Sequence, residues 1–302
     1  MREKLRHVSA ESKGFTLGFL AIAGFSLTLP ATRVAVAHLD PTLVGLGRSL
    51  VAAVLAALLL WLTRQPLPTR SQLKSLVLVA AGVIIGFPLL SAWAMQQLPA
   101  AHAAIVIAVL PLFTAIAGAI RMRERPSAGF WITSLAGSAL VIAFAVASGA
   151  GSLQTADIML LAAAALCAVG YAEGGRLAKR MGGWQVICWA LVLTAPFLVI
   201  PVAWAVYRHG ISAPTAAWLG FAYVSVISQF FAFFLWYQGL ALGGVVRVSQ
   251  IQLAQPFLTI SASALLLGEH ITPMMLGFAL AVAATIALGR SMPVARRKGA
   301  QT

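Results

Sequence analysis

The sequence predicts an all-α integral membrane protein whose ten transmembrane helices form a five-plus-five inverted repeat. Of its 302 residues, 61% are hydrophobic and only 9% are charged, whereas a soluble domain carries about 25% charged residues. The mean hydropathy is +0.93. So much apolar length with so little polar surface excludes an ordinary soluble protein.

Ten apolar runs are long enough to cross about 30 Å of hydrocarbon as helices that rise about 1.5 Å per residue. We number these predicted helices 1 to 10. They cover residues 14–37, 41–63, 74–97, 100–120, 127–147, 156–177, 184–206, 214–238, 244–267 and 273–290. The connections are short, so residues 1–302 are expected to form a single membrane transporter domain.

Two matched pairs of residues indicate that the chain is duplicated. Pro111 is followed 13 residues later by Glu124, and Pro256 is followed 13 residues later by Glu269. Each proline lies within an apolar run and each carboxylate at its end, which predicts repeats over about 14–147 and 156–290. Because five helices cross the membrane an odd number of times, the second repeat must lie upside down relative to the first, as in many transporters.

The basic residues predict the orientation of the helices. If the N-terminus is cytoplasmic, 17 of the 21 Lys and Arg residues lie on the cytoplasmic side, as the positive-inside rule requires. Both termini are therefore predicted in the cytoplasm, with the chain in the inner (plasma) membrane of a bacterium. The same distribution argues against a nucleic-acid partner for the net charge of +14.

The start of the chain has the basic and apolar segments of a cleavable signal peptide. However, the first apolar run has a counterpart in the second repeat. We therefore expect helix 1 to be retained.

The two prolines and the two carboxylates each have a structural and a functional interpretation. Pro111 and Pro256 interrupt the helical hydrogen-bond ladder, which makes each either a static kink or, as the matched placement favours, a hinge. Glu124 and Glu269 lie at helix ends, just before the prolines that begin the next helices. A capping role is predicted for these two carboxylates over a role in ion coupling.

Helix 9 carries a polar face that lipid would penalise. Ser249, Gln252, Gln255 and Thr259 are spaced by three, three and four residues, which places them on one side of an α-helix. This face is predicted to line a substrate cavity, the alternative being hydrogen bonds between helices. Gln250 lies off the face.

Further substrate-binding residues are predicted on three other helices, where polar groups lie beside aromatic ones within the apolar runs. They are Phe87, Ser91 and Trp93 on helix 3, Tyr171 on helix 6, and Gln229 on helix 8. Aromatic rings next to amide groups suit an amphipathic solute with an apolar side chain.

The sequence contains no pattern that indicates catalysis, a metal site or a cofactor, so we predict a protein that is not an enzyme and uses none. Cys167 and Cys188 lie in apolar runs and are interpreted as packing residues. Glu173, in helix 6, has Arg176 one turn later, which favours a salt bridge over proton transfer. Whether Glu173 or His102 takes part in proton movement stays open, as does the coupling ion.

Three stretches carry a family resemblance. Leu110-Pro111-Leu112-Phe113 leads to Arg123-Glu124-Arg125, Gln255-Pro256-Phe257 leads to Leu266-Leu267-Gly268-Glu269, and Arg48 lies in helix 2. The chain thereby resembles the EamA-type permeases of the drug/metabolite transporter superfamily. The resemblance implies export or exchange of small metabolites, often amino acids, through a cavity lined by helices 1, 3, 4, 6, 8 and 9. It also implies a structural role for Arg48. Ala23-Gly24-Phe25 departs from the Trp-Gly pair common in the family's first helix.

The predicted function is therefore export or exchange of a small metabolite, such as an amino acid or a similar amphipathic solute, by alternating access. The expected partners are this solute and the lipid bilayer. A flippase for a lipid-linked or hydrophobic compound is an alternative with the same architecture. An intramembrane enzyme is a third possibility, but it needs clustered ionisable residues. The oligomeric state stays open, and a monomer is compatible with the sequence.

Overall fold

The computed structural model describes residues 2–121, 124–148, 153–291 and 294–296, whose regular secondary structure is helical apart from one antiparallel pair of three-residue strands. We label the ten helices α1–α10 in the order of the predicted helices and the strands β1 and β2. The bounds are α1 Arg2–Ser26 and Thr28–Val36; α2 Pro41–Leu62; α3 Arg70–Val79, Ala80–Gly86 and Phe87–Met95; α4 Ala100–Ile107 and Leu110–Arg121; β1 Glu124–Pro126; α5 Ala128–Ser148; α6 Thr155–Met181; α7 Gly183–His209; α8 Thr215–Ala222, Tyr223–Phe231 and Ala232–Gly243; α9 Val245–Val248, Ser249–Ala254 and Gln255–Leu267; α10 Pro273–Ser291; and β2 Val294–Arg296.

The prediction of an all-helical membrane protein is confirmed. In the described ranges nine helices are long and apolar enough to span a membrane, and α10 contributes a shorter apolar stretch, Pro273–Thr285. The largest difference from the predicted bounds is at α1, which begins at Arg2, although its apolar part begins only at Ser12. Most other bounds differ by a few residues, as expected when hydropathy sets the ends of a helix.

The packing of the helices has the symmetry of the repeat. α1 packs on α8 as α6 packs on α3, and α4 packs on α6 as α9 packs on α1. Three pairs join equivalent helices, namely α2 with α7, α4 with α9, and α5 with α10. Each of these contacts has its counterpart when the two halves are exchanged, which is the pattern that a twofold axis between inverted repeats produces.

Glycine permits the closest of these helix contacts. A Cβ atom on Gly82 of α3 would overlap the carbonyl oxygen of Leu166 in α6. A Cβ atom on Gly14 of α1 would lie 2.7 Å from the backbone nitrogen of Gly243 in α8. Any side chain at these two positions would therefore push the helices apart, which is why small residues mark close helix crossings in membranes.

Two matched segments of π-helix interrupt α3 and α8. They are Ala80–Gly86 and Tyr223–Phe231, and their first residues lie 143 positions apart. A π-helix makes hydrogen bonds between residues five apart in place of four, and such segments are rare and frequently lie at functional sites. The wider turn changes which backbone carbonyls are available to side chains from other helices.

A second matched pair of interruptions divides α4 and α9. In α4 the helix stops at Ile107 and resumes at Leu110, so that Pro111 is the second residue of the new segment. In α9 a 3₁₀ segment, Ser249–Ala254, precedes Gln255, and Pro256 is again the second residue. Proline fits both positions because the first residues of a helical segment need no intrahelical N–H donor.

Candidate functional site

A closed cavity lies where helices from both halves meet. Its lining comes from α1, α2, α3, α4, α6, α8 and α9. The space open to the centres of water molecules is about 20 Å³, enough for one or two waters and far below the roughly 300 Å³ of a small-ligand pocket. The lining residues are Phe25, Thr28, Leu29, Arg48, Val83, Phe87, Ile107, Leu110, Cys167, Tyr171, Ser228, Phe233 and Gln255.

A smaller void of about 10 Å³ lies beside the interruptions of α4 and α9. Pro111 and Pro256 both line it, together with Gln252 and Thr259. Gln255 lines this void and the larger cavity. The two prolines and the polar face of α9 therefore border the same small space.

Arg48 brings a positive charge to the cavity from the middle of α2. Its side chain is almost completely buried, with 2% of its surface exposed. Its Nε donates a hydrogen bond of 3.1 Å to Oε1 of Gln229 in α8, and none of the ion pairs among the described residues involves it. A buried guanidinium without a counter-ion is costly in a membrane and is typical of a functional position.

The π-helical segments hold Gln229 in place. Its Nε2 donates a hydrogen bond of 3.0 Å to the carbonyl oxygen of Val83, in the π segment of α3. The next carbonyl oxygen, that of Ile84, accepts a hydrogen bond of 3.1 Å from Oγ of Ser49 in α2. Side chains from α2 and α8 therefore use the carbonyls of the π segment, and Gln229 links that segment to Arg48.

Aromatic rings form the apolar side of the cavity. Phe25 and Phe233 meet edge to face with their ring centres 5.1 Å apart, and both approach Tyr171. Trp236 lies 5.1 Å behind Tyr171 and is fully buried. Cys167, one turn before Tyr171, is a buried packing residue, as predicted, and it also borders the cavity.

Gln252 on α9 has polar atoms without partners. Only 2% of its surface is exposed, yet neither its Oε1 nor its Nε2 has a hydrogen-bond partner. By contrast, Thr259 donates a hydrogen bond of 2.8 Å to the carbonyl oxygen of Ser26 in α1. An unsatisfied buried amide costs free energy of about 1–3 kcal/mol, so Gln252 is suited to bind a polar group that enters the void.

Ser249 departs from the predicted polar face of α9. It is fully buried, does not line either void, and its Oγ donates to the carbonyl oxygen of Val246 in the same helix. The reason is the 3₁₀ segment Ser249–Ala254, which rises about 2.0 Å per residue where an α-helix rises about 1.5 Å. Ser249 therefore lies about 12 Å from Gln255 along the helix axis, away from the two voids.

On α3, only one of the three predicted residues reaches the cavity. Phe87 lines it, whereas Ser91 is buried and its Oγ donates a hydrogen bond of 3.3 Å to the carbonyl oxygen of Pro88. Trp93 is 41% exposed, so its predicted place in the cavity is corrected. Two residues of α-helix turn by about 200°, which points Trp93 away from Ser91.

Glu269 contacts a helix of the other repeat. Its two carboxylate oxygens accept hydrogen bonds of 2.8 Å each from the backbone N–H groups of Ala100 and Ala101, at the start of α4. Glu269 therefore caps α4, whereas at the start of α10 the Oγ1 of Thr272 accepts the N–H of Met275. The Glu124 side chain lies outside the described part of the chain.

The other buried carboxylates are paired with basic side chains away from the cavity. Glu173 bonds to Arg176, as predicted, and also to Arg121 of α4, with an Nη2 to Oε2 distance of 2.6 Å. Asp157 of α6 lies 2.7 Å from Nε2 of His102 in α4. None of these acids lines the cavity, and the described residues include no cluster of metal-binding side chains.

Comparison with known proteins identifies the repeat. Two stretches, residues 12–147 and 154–290, each match the profile of the EamA-like transporter family. The chain is 45% identical over 287 residues to "Uncharacterized transporter YdeK" of Bacillus subtilis, covering 95% of this chain and 98% of that protein.

Two more distant proteins cover most of the chain. One is the "Probable terminal-alkyne amino-acid exporter" of Streptantibioticus cattleyicolor, 27% identical over 94% of this chain and 95% of that protein. The other is a solved structure described only as "Crystal structure of protein", with a TM-score of 0.64, 17% identity, and coverage of 94% of this chain and 98% of that chain. This last similarity concerns the fold alone.

Proposed function

Because this chain belongs to the EamA-like transporter family, we propose that it exports or exchanges an amino acid or a similar amphipathic solute by alternating access. The observation that carries the proposal is the closed cavity between the two halves. The cavity supplies a charged group and aromatic rings, and the adjoining void supplies the unsatisfied amide of Gln252, the mixture that suits a solute with a polar end and an apolar end. The relative named as an amino-acid exporter supports the same substrate class.

The small size of the cavity supports a mechanism in which the two halves of the protein move relative to each other. About 20 Å³ cannot hold a metabolite, so the halves must separate at one end before a solute can enter. The interruptions at Pro111 and Pro256 border this space, and a broken helix can change direction where hydrogen bonds are already absent. We propose these interruptions as the hinges.

The binding roles follow from the geometry of the lining. Gln252 and Gln255 are proposed to bind the polar end of the solute, because they border the void and Gln252 lacks partners. Phe25, Tyr171 and Phe233 are proposed to contact its apolar part. Phe87 contributes to the same apolar surface.

The orientation is also a proposal. The end of the bundle with Arg64, Arg121 and Arg176 is placed in the cytoplasm by the positive-inside rule. In a variant without Cys167 and Cys188, single cysteines replacing Leu67, which is 80% exposed, and the exposed Ser212 should react with an impermeant reagent from opposite sides. Labelling from one side only would contradict the proposed arrangement.

A binding screen tests the substrate class. The purified protein is heated with each of the twenty common amino acids, and its apparent melting temperature is compared with that of the protein alone. A solute that binds only the folded state raises this temperature. We expect at least one amino acid with an apolar side chain to do so, with a smaller effect in Gln252→Leu. No shift with any amino acid would contradict the substrate class.

A further inference from the structure

We infer that Arg48 binds a carboxylate of the transported solute, so that recognition requires a free carboxylate and does not require a free amine. The inference rests on the proposed function and narrows its substrate class. It assigns to Arg48 a direct role in binding, in place of the structural role that the family resemblance implies.

The first step is the charge of the cavity. Arg48 is 2% exposed and lines the cavity, and the described residues place no carboxylate within ion-pair distance of it. A guanidinium remains charged at any physiological pH. The closed cavity therefore contains a positive charge that an entering anion would neutralise.

The second step is the number of free donors. A guanidinium carries five N–H donors in a planar fork, and in the described structure only Nε donates a hydrogen bond, to Oε1 of Gln229. The two terminal nitrogens are left for a partner in the cavity. A carboxylate matches two parallel N–H groups of this fork better than any neutral group does.

Gln229 positions this fork. Its Nε2 is bonded to the carbonyl oxygen of Val83 while its Oε1 accepts from Arg48. The amide is thus fixed from both sides, and it holds Arg48 by the Nε edge. The arrangement leaves the opposite edge of the guanidinium for the solute.

The third step concerns the amino group. The buried acids of this region are already paired, Glu173 with two arginines and Asp157 with His102, and neither lines the cavity. A protonated amine would therefore meet only amide and hydroxyl oxygens and aromatic rings. A solute that carries an amine but no carboxylate would add a second positive charge to that of Arg48, and like charges in a poorly solvated site repel strongly.

The test uses two series of four compounds that differ only in these two groups. The first is phenylalanine, 3-phenylpropionate, phenylalaninamide and 2-phenylethylamine. The second is leucine, 4-methylpentanoate, leucinamide and 3-methylbutylamine. Binding to the purified protein is measured by thermal shift, and movement by uptake into proteoliposomes.

We expect the two carboxylates of at least one series to bind with similar affinity and the amide and amine at least about tenfold more weakly, the cost of one charge-assisted interaction. Arg48→Gln should abolish this difference. Arg48→Lys should retain a weaker preference for carboxylates, and Gln229→Leu, which leaves the charge in place, should retain it as well. The Lys variant keeps the test valid if the Gln variant fails to fold.

Two results would overturn the inference in distinguishable ways. Binding or uptake of the amides or amines as strong as that of the carboxylates, or a carboxylate preference that survives in Arg48→Gln, rules out the role of Arg48 and leaves the transporter intact. A wild-type protein that neither binds nor moves any of the eight compounds contradicts both the carboxylate assignment and the proposed substrate class.

Discussion

α4 and α9 are equivalent helices of the two repeats, and both are interrupted before a proline. They differ in the length of the interruption and in how deeply the helix is buried. In α4 the interruption covers two residues, whereas in α9 it covers the six residues Ser249–Ala254. Of the apolar window of α4, 78% is buried, against 33% for α9. The first copy is thus an enclosed apolar helix with a short break, and the second is a peripheral helix with a long, polar one.

The contacts of the two helices explain what this difference does. The start of α4 is held by Glu269 and by the His102–Asp157 pair. The interrupted part of α9 instead contains Gln252, whose amide has no partner, and a 3₁₀ run longer than such segments usually are. We interpret α4 as the frame and α9 as the helix that rearranges when a solute binds.

The largest expected difference between the two helices is in the transport rates of their proline variants. Proline disfavours a continuous helix by about 3 kcal/mol relative to alanine, so alanine removes up to roughly a hundredfold bias toward the broken form. We expect Pro256→Ala to lower the transport rate about tenfold or more, while Pro111→Ala has a clearly smaller effect. Initial rates of uptake, normalised to the amount of reconstituted protein, measure both.

Equal losses in the two proline variants would mean that the repeats contribute equally to the movement. Unchanged rates in both would reduce the prolines to static kinks. Substrate binding, measured by thermal shift, is expected to be retained in both variants.

The next effect concerns how α4 is held. Glu269→Ala removes two hydrogen bonds from a carboxylate to the start of α4 and should destabilise the protein by about 2 kcal/mol. Asp40→Ala is the control, because Asp40 accepts the backbone N–H groups of Thr42 and Leu43 at the start of its own helix, α2. Its contact with His209 of the other repeat, 3.2 Å away, involves an exposed imidazole and contributes little. Loss of that local cap should cost about 1 kcal/mol.

Unfolding of the two variants in the same detergent gives the comparison. Because Glu269 joins the two repeats through its hydrogen bonds to α4, we expect Glu269→Ala to be less stable than Asp40→Ala. A stability equal to or above that of Asp40→Ala would show that Glu269 does not hold α4 as the frame.

The smallest effect concerns the polar groups of α9. Gln252→Leu should weaken substrate binding by up to about tenfold, the loss of one hydrogen bond. It should also raise the stability of the protein without substrate, because an unsatisfied buried amide is removed. Gln250→Leu is the control for binding, since Gln250 lines neither void. Its Nε2 is 3.4 Å from the carbonyl oxygen of Val246, but its buried Oε1 also lacks a partner, so this variant too is expected to keep or raise stability while binding is unchanged.

Opposite changes in binding and stability distinguish a substrate ligand from a residue that joins helices. If Gln252→Leu lowers stability and leaves binding unchanged, Gln252 belongs to the packing between helices. If both variants weaken binding equally, the void is not the binding site.

Most of the fold was predictable from the lengths of the apolar runs and from the spacing of the repeated residues. The ten helices follow from apolar runs of the length of a bilayer, and the matched Pro111 and Pro256 predicted interruptions that the structure contains. The 3₁₀ geometry of Ser249–Ala254 could not be read from these residues, because it depends on packing rather than on propensity. Its longer rise per residue places Ser249 about 12 Å from Gln255 along the axis, away from the voids.

The site was only partly predictable for a related reason. The sequence identifies Gln252, Gln255 and Tyr171 as candidate binding residues, because polar or aromatic residues are conspicuous in apolar runs. Arg48 is equally conspicuous in the sequence, because a charge in the middle of a membrane helix is rare. That its terminal nitrogens are available to a ligand follows only from the structure, in which Gln229 bonds to Nε alone. The contact of Glu269 with Ala100 depends on how the two repeats pack together.

Counterflow tests the central claim, that a solute is carried through a cavity that opens alternately to the two sides. Proteoliposomes are loaded with the unlabelled amino acid that gives the largest thermal shift, diluted into a trace of the labelled compound, and kept at equal pH inside and outside. The account predicts that label accumulates transiently above its equilibrium level without a pH gradient, since no carboxylate of the described residues lines the cavity. Absence of accumulation, or accumulation only after a pH gradient is imposed, would contradict it.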